Sequence, residues 1–137
     1  MRYRTVEHTA DIGIEVEAGD LAGLFEGAAL AMLSLLLDPR AVSPAVERSI
    51  ELEAGDVEEL MFRWLGELIF FTEAEGLAFG EVRVEAVSET GLAATVVGEA
   101  LDPERHDIRL EIKAVTYHEM LVRRGPQGWS ARVIFDV

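Results

Sequence analysis

Hydrophobic and polar residues alternate near the start of the chain and then recur with a helical period. Residues 12–18 (IGIEVEA) alternate between apolar and small or charged side chains, which is typical of a half-buried strand. Residues 2–9 (RYRTVEHT) are predicted to form a shorter strand before it. In residues 21–38 apolar side chains return every three or four positions, so this segment is predicted to be a largely buried helix, capped by Asp20 and ended before Pro39.

A second strand and helix pattern follows. Residues 47–54 (ERSIELEA) alternate again, and Asp56 with Glu59 resembles a capping box. The helix predicted over residues 57–76 ends at Gly76. Its apolar stripe is helically spaced, which is far more typical of core packing than of a cofactor site, and consists of Leu60, Met61, Trp64, Leu65, Leu68 and Phe71.

The second half of the chain reads as β-structure. Residues 80–100 predict a hairpin that turns near residues 89–91, and residues 107–137 predict two or three more strands, with a turn at residues 125–128 (GPQG). The expected fold is therefore α+β. It is one domain over residues 1–137, with antiparallel-rich β-sheets and two main helices packed against them.

Composition narrows the class of protein. The chain has 137 residues, of which 50% are hydrophobic, and it has no cysteine, which excludes disulfides and thiolate chemistry. Its net charge of -14 disfavours direct binding to nucleic acid and favours cations or basic protein surfaces. No signal peptide or membrane-spanning segment is apparent, so a cytoplasmic protein without membrane contact is expected.

Polar side chains at the two ends of the chain are the first candidates for chemistry. Asp11 opens the strand 12–18 and Asp136 closes the last predicted strand. If these strands are neighbours, two carboxylates meet beside the carboxyl group of Val137, and such an all-oxygen group suits a hard cation such as calcium or magnesium. His8 would then hydrogen-bond a ligand or supply a nitrogen to a softer metal.

Other polar residues have simpler interpretations. The segment 102–107 (DPERHD) has the composition of a loop. Lys113, flanked by apolar residues in a predicted strand, either extends to solvent or pairs with a carboxylate, and His118 fits a partly buried histidine. No phosphate-binding loop, GxSxG or HExxH motif is present, and no catalytic or cofactor-binding residue is assigned.

Three segments together resemble the archease family: EHTADIGIEV, GEALDPERHDIRLEIKAVTYHEM and the terminal VIFDV. They occur in the family's order over nearly the whole chain. The resemblance implies a non-enzymatic partner of the GTP-dependent RNA ligase of tRNA splicing. Such a partner promotes guanylylation of the ligase and its multiple turnover. The alternatives are a stand-alone metal-dependent hydrolase and an acidic general chaperone.

The resemblance also assigns residues by position. It places a divalent cation, with calcium as the first candidate and magnesium or manganese as others, on Asp11, Asp136 and Val137, and it matches a functionally important lysine to Lys113. The sequence departs from the family at Glu119 and Met120, after TYH, where glycine is common. His8, Lys113 and His118 are candidates for supporting the metal ligands or facing the ligase. No definite role is assigned to five residues in matching motifs: His8, Glu99, Asp102, His106 and His118.

Overall fold

The structure of the protein is a computed structural model that describes residues 1–7 and 11–137. Seven strands and two helices occur in these residues, with one turn of 3-10 helix at Pro39–Ala41. The strands are β1 (Arg2–Glu7), β2 (Asp11–Ala18), β3 (Val46–Glu53), β4 (Leu77–Val87), β5 (Gly91–Ala100), β6 (Ala114–Gly125) and β7 (Gly128–Asp136); the helices are α1 (Leu21–Leu36) and α2 (Val57–Glu75).

The strands form two antiparallel sheets. Sheet A has the order β1-β2-β7-β6, and sheet B has the order β3-β5-β4. Sheet B is built from neighbours along the chain, whereas sheet A pairs the first two strands with the last two. The predicted α+β class, with antiparallel β-sheets and two main helices packed against them, is confirmed.

Helix α1 is buried because it packs against both sheets, through β2 on one side and β4 on the other. Its small residues permit these close contacts: a Cβ on Gly27 would lie 2.9 Å from Val16 of β2. Helix α2 crosses behind β6, and its Trp64 donates a hydrogen bond from the ring nitrogen to the carbonyl of Phe25, 2.9 Å away. None of the described helices is both long and apolar enough to span a membrane.

Local signals set the helix ends. The side chains of Asp20 and Asp56 accept hydrogen bonds from Gly23 and Glu59 at the first turns of α1 and α2, as predicted. Gly76 ends α2 in the left-handed conformation, with φ 64°.

Two strands are less regular than their alternation predicted. In β4 a bulge between Val84 and Ala86 reverses the side-chain direction, so that Ala86 is exposed rather than turned inward. In β6 the pairing with β7 shifts between Thr116 and Leu121, so four residues of β6, 117–120, lie opposite Val133 alone. Within this bulge Glu119 has φ 52°, a conformation that favours glycine.

The segment between β5 and β6 is a long connection rather than a third strand. It runs from sheet B to sheet A across the end of α1, where the Arg109 backbone N–H donates to Leu36 and its guanidinium donates to Ser34. These bonds satisfy carbonyls that a helix end leaves without partners.

Candidate functional site

The two aspartates predicted to meet are directly opposite one another in sheet A. Asp11 is the first residue of β2, Asp136 is the last of β7, and the register pairs them. Residues paired across antiparallel strands share a face, with Cβ atoms about 5 Å apart. The inward positions of both strands hold core residues such as Ile14 and Val133, so the aspartates lie on the outer face of sheet A.

The Asp11 carboxylate lacks the partners that a buried polar group normally has. Its Oδ1 atom is sealed from solvent and has no hydrogen-bond partner among the described residues. A buried acceptor without a partner costs about 1–3 kcal/mol, and more when it is charged. A second carboxylate directly opposite adds repulsion unless a positive charge compensates it. A cation at this position would supply the partner that Oδ1 of Asp11 lacks.

Lys113 and Val137 lie at the same end of sheet A. The backbone N–H of Lys113 donates to the carbonyl of Asp136, 2.8 Å away, and the next residue, Ala114, pairs with Asp136 in the register. Lys113 precedes β6 rather than lying within it, which corrects the prediction of a strand lysine, and its side chain is exposed. Val137 follows Asp136 and is 38% exposed.

The two histidines predicted near this site have different outcomes. His8 lies outside the described residues. His118 lies in the β6 bulge, and its side chain is 67% exposed, so the interpretation as a partly buried histidine is wrong. Its Nε2 atom is 3.3 Å from the carboxylate of Glu119, which in turn is 3.7 Å from Arg132 of β7.

An ion-pair chain crosses the outer face of sheet A close to the aspartates. Arg132 also lies 3.3 Å from Glu15 of β2, and the same carboxylate pairs with Arg4 of β1 at 2.6 Å. Between this row and the aspartates, Ile134 leans over Gly13, where a Cβ would be only 2.6 Å from the isoleucine side chain. The charges of this row have ion-pair partners, although Nε of Arg132, like Oδ1 of Asp11, is buried without a hydrogen-bond partner among the described residues.

The polar cluster at the end of β5 is a structural network. The carboxylate of Glu99 accepts the backbone N–H of Ser43 at 2.7 Å, approaches Nε2 of His106 at 3.0 Å and pairs with Arg105. Hydrogen bonds from Ser43 and His106 hold the pKa of Glu99 below its ordinary value. This network fastens the start of the β5–β6 connection to sheet B.

The hydrogen bonds of His106 select one tautomer of its neutral ring. Nδ1 accepts the backbone N–H of Asp102 at 2.9 Å, so the ring proton of the neutral form lies on Nε2, where it is donated to Glu99. The ring is 3% exposed. Both nitrogens are used within the fold, and His106 is therefore a buried structural histidine.

The donors at the Asp11–Asp136 pair fit a hard divalent cation. Among residues 1–7 and 11–137, no three acidic, histidine or cysteine side chains converge into a ligand cluster. The pair therefore supplies two carboxylates, and the backbone carbonyl of Val137 is the next oxygen donor along the chain. Calcium accepts six to eight oxygen ligands, often including water, so this all-oxygen set suits it better than a softer metal.

Sequence reasoning missed one conspicuous contact. Tyr117 of the β6 bulge stacks in parallel on Phe62 of α2, with ring centroids 4.0 Å apart and planes 3° apart. Burial raises the pKa of Tyr117, and the nearby carboxylates of Glu59 and Asp56 raise it further. The apolar–polar alternation of β6 carried no signal for this contact, because the bulge interrupts it.

The chain matches the model of the Archease protein family (MTH1598/TM1083) over residues 3–137. It is 39% identical to the protein archease of Pyrococcus furiosus, covering 99% of both chains. The solution structure of protein 1598 from Methanobacterium thermoautotrophicum superposes with a TM-score of 0.80 at 34% identity, covering 98% of both chains. A Thermotoga maritima archease described as a possible chaperone shares the fold, with a TM-score of 0.61 at 24% identity over 100% of this chain and 98% of that one.

Proposed function

Because this chain belongs to the archease family, we propose that it is an accessory protein, not an enzyme, that activates the GTP-dependent RNA ligase of tRNA splicing. In this proposal it promotes guanylylation of the ligase and its multiple turnover, and it uses a bound divalent cation. The observation that supports it best is the register pairing of Asp11 with Asp136, in which one buried carboxylate oxygen has no partner among the described residues.

The residues of this chain contribute in distinct ways. Asp11 and Asp136 would hold the cation, with the backbone carbonyl of Val137 as the next donor, and positive charge would thereby lie next to nucleotide phosphates. Lys113 is exposed beside the pair and contacts a phosphate or an acidic group of the ligase. The net charge of -14 draws the chain toward a ligase surface that is basic because it binds RNA and GTP.

The direct test is multiple-turnover guanylylation of the ligase with wild-type protein and with Asp11→Ala, Lys113→Ala and Asp136→Ala. Each substitution is expected to reduce stimulation by about tenfold or more, because each removes a charge that acts in the complex. Asp107→Ala is the matched control, since Asp107 is an exposed acidic residue of the β5–β6 connection. If all three variants are folded and stimulate like the wild type, the proposed site is wrong.

A general chaperone is the second candidate, supported by the high negative charge and by the description of the Thermotoga maritima protein as a possible chaperone. A charge-based chaperone shields basic proteins without a specific site. It would therefore suppress aggregation of an unrelated basic protein equally well with and without Asp136→Ala. Phosphatase or nuclease activity of the wild type alone would instead favour a metal-dependent hydrolase.

A further inference from the structure

The exposed side of α2 has an aromatic surface around an open glycine. We call this surface the aromatic patch; it consists of Phe62, Gly66, Phe70 and Tyr117. Phe70 is 56% exposed and Tyr117 is 55% exposed, although both are large apolar rings. The three α2 residues are four positions apart, so they follow one another along a ridge of the helix.

Packing within the chain does not explain the glycine of this patch. Gly66 lies in the middle of a 19-residue helix, where glycine costs about 1 kcal/mol relative to alanine. A Cβ at Gly66 would meet no atom within 4 Å in residues 1–7 or 11–137. By contrast, a Cβ at Gly27 of α1 would lie 2.9 Å from Val16, so that glycine is required by the fold. An unfilled notch between two aromatic rings suits close approach by another molecule.

The charges around the patch indicate the chemistry of that molecule. Asp56 and Glu59 both act on Tyr117, and Glu67 and Glu73 lie on the same helix. The one basic residue on this side of α2, Arg63, is already paired with Glu59 at 3.1 Å. An aromatic surface with an acidic rim attracts arginine, whose guanidinium stacks on aromatic rings and pairs with carboxylates.

We infer that the aromatic patch docks a basic, arginine-bearing segment of the ligase partner, with Gly66 admitting its close approach. The inference rests on the proposed function for the identity of the partner. Tyr117 connects the patch to the candidate site, because it lies only three residues after Ala114, which pairs with Asp136. A second copy of this chain would place two acidic rims against each other, which disfavours it as the occupant.

The test is the affinity of the ligase for wild-type protein and for Phe70→Ala and Gly66→Leu, measured by titration calorimetry. Both variants are expected to bind about tenfold or more weakly, since central aromatic anchors dominate interface energies and leucine would fill the notch. Wild-type binding is expected to weaken with added salt. Tyr3→Ala and Gly19→Leu are the controls, because Tyr3 is a 41% exposed aromatic residue elsewhere and Gly19 also has open space around it. Both are expected to bind within about twofold of wild type.

The outcomes separate the inference from the proposed function. If the ligase binds the wild type and both patch variants with equal affinity, the docking inference is wrong and the proposed function stands. If the ligase does not bind the wild type, the proposed function is wrong and the inference fails with it. If sedimentation shows a wild-type dimer that Phe70→Ala dissociates, the patch binds a second copy, which also overturns the inference. Thermal unfolding checks that each variant is folded.

Discussion

Two carboxylates of this chain, Glu99 and Asp11, have opposite surroundings. Glu99 receives hydrogen bonds from Ser43 and His106 and pairs with Arg105, all from its own chain. Asp11 has a buried oxygen without such a partner among the described residues, and a second carboxylate lies opposite it. Both belong to polar motifs of similar composition. The satisfied cluster therefore stabilises the fold, and the unsatisfied one is the better candidate for binding a ligand.

Removing an aspartate should have the largest effect and tests the comparison most directly. We expect Asp136→Ala to weaken calcium binding by at least about 100-fold, because changing residues that merely orient metal ligands already costs 10–100-fold. Stability without calcium should be unchanged or higher, since the repulsion across β2 and β7 is relieved. Calcium titration by calorimetry, with thermal unfolding in chelator, measures both. Equal calcium affinity in Asp136→Ala and Asp107→Ala would contradict the assignment of Asp136 as a cation ligand.

Removing the buried His106 should lower stability and leave calcium binding unchanged, the opposite of the effects expected for Asp136→Ala. We expect His106→Ala to lower the free energy of unfolding by about 2 kcal/mol, because it leaves the Asp102 N–H without its acceptor and removes one of the three partners of the Glu99 carboxylate. Calcium affinity should not change. The control is His118→Ala, since that side chain is 67% exposed and its loss should stay within about 0.5 kcal/mol. Urea unfolding provides the comparison, and equal losses for the two variants would argue against a structural role for His106.

Acid should lower the stability of the fold through Glu99, the carboxylate with hydrogen-bond partners. The pKa of Glu99 is lowered in the folded chain from its ordinary value of 4.5, so its stabilising contribution is complete above 4.5 and is lost as the pH falls through the lower folded value. Glu99→Gln should therefore flatten the fall in stability below that pH, whereas Glu104→Gln, at an exposed position, should not. Urea midpoints measured from neutral pH to about pH 3 decide this. A slope unchanged by Glu99→Gln would contradict the prediction.

The smallest change in stability is expected at Glu119, the residue of the β6 bulge with a left-handed backbone. Glu119→Gly should raise the free energy of unfolding by about 0.5 kcal/mol, because relief of the left-handed backbone exceeds the extra freedom of the unfolded chain. Its exposed ion pairs contribute little. Glu111→Gly, at an exposed position without a positive φ, should destabilise instead. If both substitutions destabilise equally, the backbone at Glu119 is not strained.

Sequence reasoning succeeded where a signal is local. The caps at Asp20 and Asp56 and the end of α2 at Gly76 depend on neighbouring residues, and the structure confirms all three. The alternation of residues 12–18 also predicted a half-buried strand, and Ile14 and Val16 of β2 are buried. The meeting of Asp11 with Asp136 was predicted only on the condition that their strands are neighbours, which the register confirms.

The sequence carried no signal for several features that join distant residues. Which strands form each sheet depends on their pairing, and alternation within a strand does not encode its partner. The stack of Tyr117 on Phe62 and the partners of Glu99 join residues far apart along the chain. The resemblance implied glycine after TYH, and Glu119, at that position, has the left-handed backbone that favours glycine. The cation, the ligase and the role of Lys113 remain predictions.

The pairing of β2 with β7 also bears on how the chain folds. Sheet B uses strands within residues 46–100, whereas the Asp11–Asp136 contact closes a loop of about 125 residues. Closing long loops is entropically costly and slow, so sheet B with its helices is expected to form first and sheet A to follow. A cation shared by Asp11 and Asp136 would bind only the closed chain and would therefore slow its unfolding. The candidate site would then also stabilise sheet A, the part of the molecule expected to form last.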